Sequence, residues 1–177
     1  MTAAEFAEKL TDIAENNKTV YVLGCYGSPM TEENKVRAGN YGYNKTPQRA
    51  ESIGAATPDT FGFDCSCLIK GVLWGWNGDK TLPHGGAEYA SNGVPDYSAN
   101  QLIGECSDVS GDFENVEIGE AVWLEGHIGI YIGNGLAVEC TPLWKDGVQI
   151  TACRCTREGY MRRDWVKHGK LPYITYD

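Results

Sequence analysis

Two segments carry side chains able to do nucleophilic chemistry, and the first is the sequence DCSC at residues 64–67. It opens residues 65–74, the most apolar stretch with helical periodicity, and Asp64 is a suitable N-cap residue. Apolar residues three, four and seven positions after Cys65 place its side chain on the inward face of the helix. Backbone N–H groups and the helix dipole at this end favour a thiolate, which is the nucleophilic form. We therefore expect Cys65 to be a nucleophile. The alternative for this segment alone is a cysteine that only packs in the core.

The second segment, GHIGIYIG followed by NGLAVEC, is typical of a β-hairpin with a three-residue loop at 133–135. In this register Ile132 opposes Leu136 and one face is apolar throughout. His127 and Glu139 share the other face, on a diagonal within side-chain reach. A carboxylate beside a histidine holds the tautomer and orientation of the ring, so the pair is typical of a base and its orienter.

These residues must be positioned by a mixed set of elements. The patterns predict helices at 2–16, 31–43, 46–55, 65–74 and 98–105, a short strand at 20–24, and four strands after residue 116. A helical first part and a β-rich second part predict an α+β fold, in which the Cys65 helix packs on a C-terminal antiparallel sheet.

Composition narrows the function further. The chain has 177 residues, which fits a single domain over 1–177, and its 42% hydrophobic share is too high for a disordered chain. A net charge of −9 argues against nucleic acid and anionic lipid as partners. No run approaches the length of a membrane span, and the first residues do not resemble a signal peptide. The seven cysteines are therefore expected to be reduced when the protein is made in the cytoplasm.

The two motifs together resemble the NlpC/P60 family of papain-like cysteine peptidases, which cut bacterial cell-wall peptides. The family pattern combines Asp-Cys-Ser at a helix start with Gly-His-Val-Gly-Ile-Tyr-Ile-Gly and a polar residue twelve positions after the histidine. The resemblance implies a papain-like fold with Cys65 as nucleophile, His127 as base and Glu139 as the third catalytic residue. It also implies that Tyr21, in the run YVLGC, assists at the oxyanion.

Further site residues come from the same resemblance. Asp64 and Ser66 match positions that contact the amino end of the peptide, and no metal or organic cofactor is needed. Trp144 follows Glu139 closely and is expected either to line the cleft or to be a core aromatic residue.

Three departures from the family pattern bear on specificity. Cys67 replaces the family glycine, and we expect it to pack rather than react because it points away from Cys65 on a helix. Glu139 stands where the family most often has histidine, and glutamate there also resembles the related CHAP group of amidases and endopeptidases. The segment between Tyr21 and Cys65 is unusually long, which indicates an insertion at about 26–60 that shapes the cleft.

The function implied by the resemblance is hydrolysis of the peptidoglycan stem peptide, at the amide between D-γ-glutamate and the diamino acid. A CHAP-like N-acetylmuramoyl-L-alanine amidase or cross-bridge endopeptidase is one alternative, and an acyltransferase or amidase with a substrate outside the wall is another. A third is a non-catalytic, cysteine-rich binding module, in which the CxC pairs 65/67 and 153/155 form a zinc or disulfide cluster.

We expect the protein to be a monomer that acts at the bacterial cell wall. It would arrive there by phage-type release, as an endolysin does, or as part of a larger secreted or virion protein.

Overall fold

The computed structural model describes residues 1–176, which form five α-helices and ten β-strands in two sheets. The helices are α1 (Ala3–Asn16), α2 (Glu32–Ala38), α3 (Pro47–Ala55), α4 (Cys65–Leu73) and α5 (Ala99–Glu105). The strands are β1 (Lys18–Tyr21), β2 (Tyr26–Pro29), β3 (Thr60–Phe63), β4 (Ser107–Ser110), β5 (Ala121–Leu124), β6 (His127–Gly133), β7 (Leu136–Thr141), β8 (Gly147–Cys153), β9 (Arg162–Arg163) and β10 (Lys167–Lys170). No helix within 1–176 is long and apolar enough to cross a bilayer.

The larger sheet has seven strands in the order β4-β10-β5-β6-β7-β8-β9. All its neighbours are antiparallel except β8 and β9, which are parallel. Strands β5 to β8 are the four that the sequence pattern predicts, and they form consecutive antiparallel pairs at the centre of the sheet. The peripheral strand β9 and the short strands β4 and β10 have no alternating pattern of their own and were not predicted.

The smaller sheet has the order β1-β3-β2, with β1 parallel and β2 antiparallel to β3. Only one strand was predicted here, at 20–24, and it lies earlier, at β1. Strands β2 and β3 each have four residues and contain glycine, so strand propensity does not identify them in the sequence. Their importance is positional, because β3 leads directly through Asp64 into α4.

The core lies between α1, α4 and one face of the larger sheet. Phe6, Leu10 and Ile13 of α1 are buried, and Thr2 and Glu5 form a capping box at the start of the helix. Helix α4 is buried along its whole length and packs against β2, β6 and β7. A helix that is apolar on every side is expected to be enclosed in this way.

Two predicted elements differ in detail from the structure. The helix predicted at 31–43 ends at Ala38 and is followed by a 3-10 helix, Gly42–Lys45. In the β6–β7 hairpin, Leu136 pairs with Gly133 rather than with Ile132, because the register shifts between Tyr131 and Gly133. Gly133 takes a φ of 92°, a conformation that glycine adopts without steric cost.

His168 is buried, although it stands in a basic sequence, KHGK, of a kind that is usually solvated. It lies on β10, an interior strand between β4 and β5, and its side chain is only 4% exposed. Its Nδ1 is hydrogen-bonded to the Glu120 carboxylate, and its Nε2 donates to the Asp112 carbonyl at 2.7 Å. The Glu120 side chain is 2% exposed, so this is a buried pair that supports the sheet.

We expect His168→Ala to lower the free energy of unfolding by about 3–5 kcal/mol, since it leaves the buried Glu120 carboxylate without its main partner. Urea denaturation measures the loss. Lys9→Ala, on the exposed face of α1, is the control and should change stability by less than about 0.5 kcal/mol. Equal stability of the two variants would contradict a supporting role for the pair.

Candidate active site

The N-terminus of α4 is fixed by the Asp64 carboxylate. One oxygen, Oδ1, accepts a hydrogen bond from the Cys67 N–H at 2.7 Å and one from the Ser66 hydroxyl at 3.3 Å. The other, Oδ2, accepts from the Gly24 N–H at 2.8 Å. Asp64 is therefore the predicted N-cap, and it also ties the helix to the turn after β1. These bonds hold Cys65 at the first position of the helix.

Cys65 lies against the start of β6 and is 9% exposed. Burial raises the pKa of its thiol to about 12, and the Asp64 charge adds to this. The backbone N–H groups of Ile128, Ser66 and Cys65 itself lower the pKa by less. The expectation of a resting thiolate is therefore wrong, because desolvation outweighs the donors at the helix end. In the resting protein Cys65 is a neutral thiol.

This raised pKa predicts how Cys65 responds to an alkylating reagent. Because thiolate is the reactive form, the alkylation rate of Cys65 should rise with pH and still be rising at pH 10. Peptide mapping after iodoacetamide treatment at pH 6–10 measures the rate for each cysteine separately. A rate that levels off below pH 8 would show that the thiol ionises near neutrality after all.

His127 and Glu139 are brought together as the hairpin pattern predicts. Glu139 pairs with Gly129 across β6 and β7, and its carboxylate is hydrogen-bonded to Nε2 of His127. Glu139 is fully buried, so it is not a solvated residue of a strand edge. With Nε2 engaged, Nδ1 is the nitrogen left to exchange a proton.

Cys65 and His127 approach the start of β6 from two sides. Helix α4 packs with Ile128 on one face, whereas the His127 ring lies with Glu139 on the other. Within residues 1–176 no hydrogen bond joins the Cys65 thiol to the His127 ring. Catalytic hydrogen bonds are often long before substrate binds, so the separation does not exclude a shared role.

The His127 ring rests on Trp165, which the sequence analysis did not identify. The two rings stack with centroids 5.3 Å apart and an angle of 10° between their planes, and Trp165 is 1% exposed. Gly129, the second glycine of the GHIG motif, makes this stacking possible. A Cβ at this position would lie 2.7 Å from the Val138 carbonyl oxygen and 3.1 Å from the Trp165 ring. The motif therefore needs glycine where the indole crosses the strand.

We expect Gly129→Ala to displace Trp165 from His127 and to lower stability by about 1–3 kcal/mol, as overpacking does. Thermal unfolding and near-UV circular dichroism, which reports the tryptophan environment, measure the effect. Gly54→Ala is the matched control, because a Cβ there meets nothing within 4 Å and the site is helical. A Gly129→Ala variant as stable as Gly54→Ala would contradict the packing argument.

Arg163 completes the buried polar cluster and was also missed. Its Nε donates to both oxygens of Glu139, at 3.2 and 3.1 Å. The guanidinium carbon lies 4.8 Å from the Trp144 ring centre and 5.9 Å from that of Trp165. No spacing rule links Arg163 to Glu139. The available signal was that a buried carboxylate needs a cation beside it.

Tyr21 lies near Cys65, at the end of β1. Burial, followed by the charges of Asp64 and Cys65, raises the pKa of its hydroxyl, which stays a neutral donor. Its backbone is held on both sides: the carbonyl accepts from Arg49 at 3.1 Å and the N–H donates to Asp146 at 3.4 Å. The buried Arg49 forms an ion pair with the half-buried Asp146, so a residue of the predicted insertion helps to position Tyr21.

The remaining predicted site residues lie on either side of these groups. Asp64 and Ser66 line a cleft beside α4, together with Tyr41, which the predicted insertion supplies. Trp144 is 42% exposed and takes a φ of 58°, so the core-aromatic alternative is wrong for it. It covers Arg163 on the His127 side of the site.

Cys67 faces a different environment from Cys65. Burial and the Asp64 charge raise the pKa of its thiol well above the ordinary value, whereas Lys70 lowers it. All seven cysteines are free. Within residues 1–176, no three Cys, His, Asp or Glu side chains are grouped as metal ligands would be. The two CxC pairs lie apart, since Cys65 belongs to the main core and Cys153 to the cluster around Trp165.

No protein-family model matches the chain, and no curated protein matches it. Among solved structures, NlpC1 from Trichomonas vaginalis is similar with a TM-score of 0.48 and 12% sequence identity. The match covers 96% of this chain and 44% of that protein, so the chain spans less than half of its length.

Proposed function

We propose that the chain is a cysteine endopeptidase of the NlpC/P60 type that hydrolyses an amide in the peptidoglycan stem peptide, between D-γ-glutamate and the diamino acid. One observation carries the proposal: a cysteine at the first position of a buried helix lies against the strand that begins with a histidine bonded to a buried glutamate. This supplies a nucleophile, a base and an orienter from three separate elements.

In the proposed reaction, Nδ1 of His127 removes the proton from Cys65 as the sulfur attacks the scissile carbonyl carbon. Since the resting thiol is neutral, its proton moves to the His127 ring during the attack. Glu139 stabilises that imidazolium through Nε2. Substrate binding must bring the thiol and the ring into contact at the start of β6, because they are not hydrogen-bonded beforehand.

The tetrahedral intermediate carries its negative charge on the former carbonyl oxygen. The Cys65 N–H at the helix end and the neutral Tyr21 hydroxyl are the donors placed to stabilise it. His127 then returns the proton to the leaving amine, and the C–N bond breaks to leave a thioester on Cys65. Water, deprotonated by His127, hydrolyses the thioester and restores the thiol.

Digestion of purified peptidoglycan tests the proposal directly. Mass spectrometry of the released muropeptides should show new fragments that end at D-glutamate and a new free amine on the diamino acid. EDTA should leave the reaction unchanged, because the proposed chemistry uses no metal ion. No released fragment with a folded, reduced protein would refute the proposal and favour the binding-module alternative. Activity lost in EDTA and restored by zinc would refute the mechanism.

An N-acetylmuramoyl-L-alanine amidase or cross-bridge endopeptidase of the CHAP type is the second candidate. It is favoured by a single feature, a glutamate rather than a histidine at the third position, Glu139. The same digestion separates the candidates, because an amidase exposes the amine of L-alanine and a cross-bridge endopeptidase exposes a bridge amine. Release of acyl groups from other substrates, with intact wall, would favour the acyltransferase alternative.

The proposed setting is the bacterial cell wall, reached by phage-type release or as part of a larger secreted or virion protein. Its partner there is the stem peptide, and the protein acts as a monomer. Sedimentation of the protein alone and with purified wall tests both statements.

A further inference from the structure

The guanidinium of Arg163 has bonding capacity that the Glu139 pair does not use. Its Nε makes both hydrogen bonds to the carboxylate, and its two terminal nitrogens have no acceptor among residues 1–176. These terminal nitrogens are also not enclosed. Within residues 1–176, the side-chain nitrogen and oxygen atoms that are buried without a hydrogen-bond partner are Thr151 Oγ1 and Trp165 Nε1, and the Arg163 nitrogens are not among them. The terminal nitrogens are therefore open to a ligand.

The surroundings of Arg163 hold it in place for such a ligand. Its side chain is 15% exposed, and its guanidinium lies near both the exposed Trp144 and the buried Trp165. Two neighbouring aromatic rings and a carboxylate at Nε restrict the rotation of the guanidinium. A fixed guanidinium with two free N–H groups matches the two oxygens of a carboxylate.

The position of Arg163 identifies which part of a substrate it would meet. His127 must deliver a proton to the leaving amine, so the residue that carries this amine lies beside the imidazole. Arg163 and Trp144 lie with Glu139 on the His127 side of the site, whereas Asp64, Ser66 and Tyr21 lie with Cys65.

We propose that Arg163 binds a carboxylate of the leaving-group residue and so makes the enzyme selective for stem peptides whose diamino acid has a free α-carboxylate. This inference rests on the proposed function, because it needs a scissile amide between Cys65 and His127.

Two matched synthetic tripeptides, L-Ala-γ-D-Glu-diamino acid with a free C-terminal carboxylate and the same peptide as its C-terminal amide, test the inference. For the wild type, kcat/KM should be roughly tenfold to hundredfold higher for the acid, mostly through KM, as expected for a charged hydrogen bond. Arg163→Gln should abolish this preference, whatever it does to kcat. Arg163→Lys, which keeps the charge and loses the fork, should retain part of it.

Calorimetric binding of the same peptides to Cys65→Ala protein separates this inference from the proposed function. Tighter binding of the acid, lost in Cys65→Ala/Arg163→Gln, supports the carboxylate contact even if the wild type cleaves neither peptide, an outcome that counts against the proposed function. Should the wild type cleave both peptides equally, or Arg163→Gln keep the preference, Arg163 only positions Glu139 and the inference is wrong. Trp144→Ala, an exposed change, tests the contact if Arg163→Gln fails to fold, and should weaken the preference.

Discussion

Cys65→Ser should abolish wall hydrolysis, whereas Cys67→Ser should keep most of it. The two thiols are two residues apart and both buried, yet only Cys65 lies beside the backbone of β6, where His127 begins the strand. Cys67 shares the influence of Asp64 but lies near Lys70 and Cys25 instead of β6. A serine hydroxyl is a far weaker nucleophile than a thiol, and removing the nucleophile of such a site costs about 10⁶ in kcat.

Release of new amino groups from purified wall measures the effect. Cys67→Ser is the matched control, because both variants change one sulfur to oxygen on the same buried helix. Thermal unfolding of each shows whether the substitution has only destabilised α4. The reverse ranking, with Cys67→Ser inactive and Cys65→Ser active, would show that the wrong thiol had been assigned.

The sequence was sufficient to predict the structure where a regular alternation of residues or a local motif determines it. Alternation over the GHIGIYI and LAVEC segments predicted which face His127 and Glu139 share, and the pairing of Gly129 with Glu139 confirms it. A slip of one residue would have exposed the apolar face, so the pattern left little freedom. The N-cap at Asp64 and the buried helix after it were predictable for the same reason, since local sequence determines both.

The sequence was insufficient wherever distant segments meet. Arg163 and Trp165 come from short or irregular segments after β8, and their contacts with Glu139 and His127 exist only once the sheet is assembled. The Cys65 pKa could not be predicted either. The donors of Cys65 and Ser66 at the helix end are local, but the burial that outweighs them exists only once α4 is packed in the core.

The surroundings of Glu139 determine what Glu139→Gln does to stability as well as to catalysis. The structure shows a fully buried carboxylate that binds both His127 and Arg163. The amide keeps one acceptor oxygen where the carboxylate has two, and it leaves Arg163 without a compensating charge. We therefore expect a loss of stability of about 3–5 kcal/mol in addition to the catalytic defect.

The catalytic part of the Glu139→Gln effect should be a fall in kcat of up to roughly 10⁴-fold, because the imidazolium loses its counter-charge. It should be smaller than the effect of Cys65→Ser, since the amide oxygen still orients the His127 ring. Steady-state kinetics on stem peptide, below the unfolding transition, measure it.

The chain contains its own control for separating catalysis from stability. Glu120→Gln changes a second buried His–Glu pair, in which Glu120 is bonded to His168 and to the Glu117 N–H. Both variants remove one carboxylate charge from beside a histidine inside the same sheet, so both should lower the unfolding free energy. Only Glu139→Gln should lower kcat in the fraction that remains folded. If the two variants lose activity in parallel with stability, Glu139 supports the fold alone, and Cys65 and His127 act as a dyad.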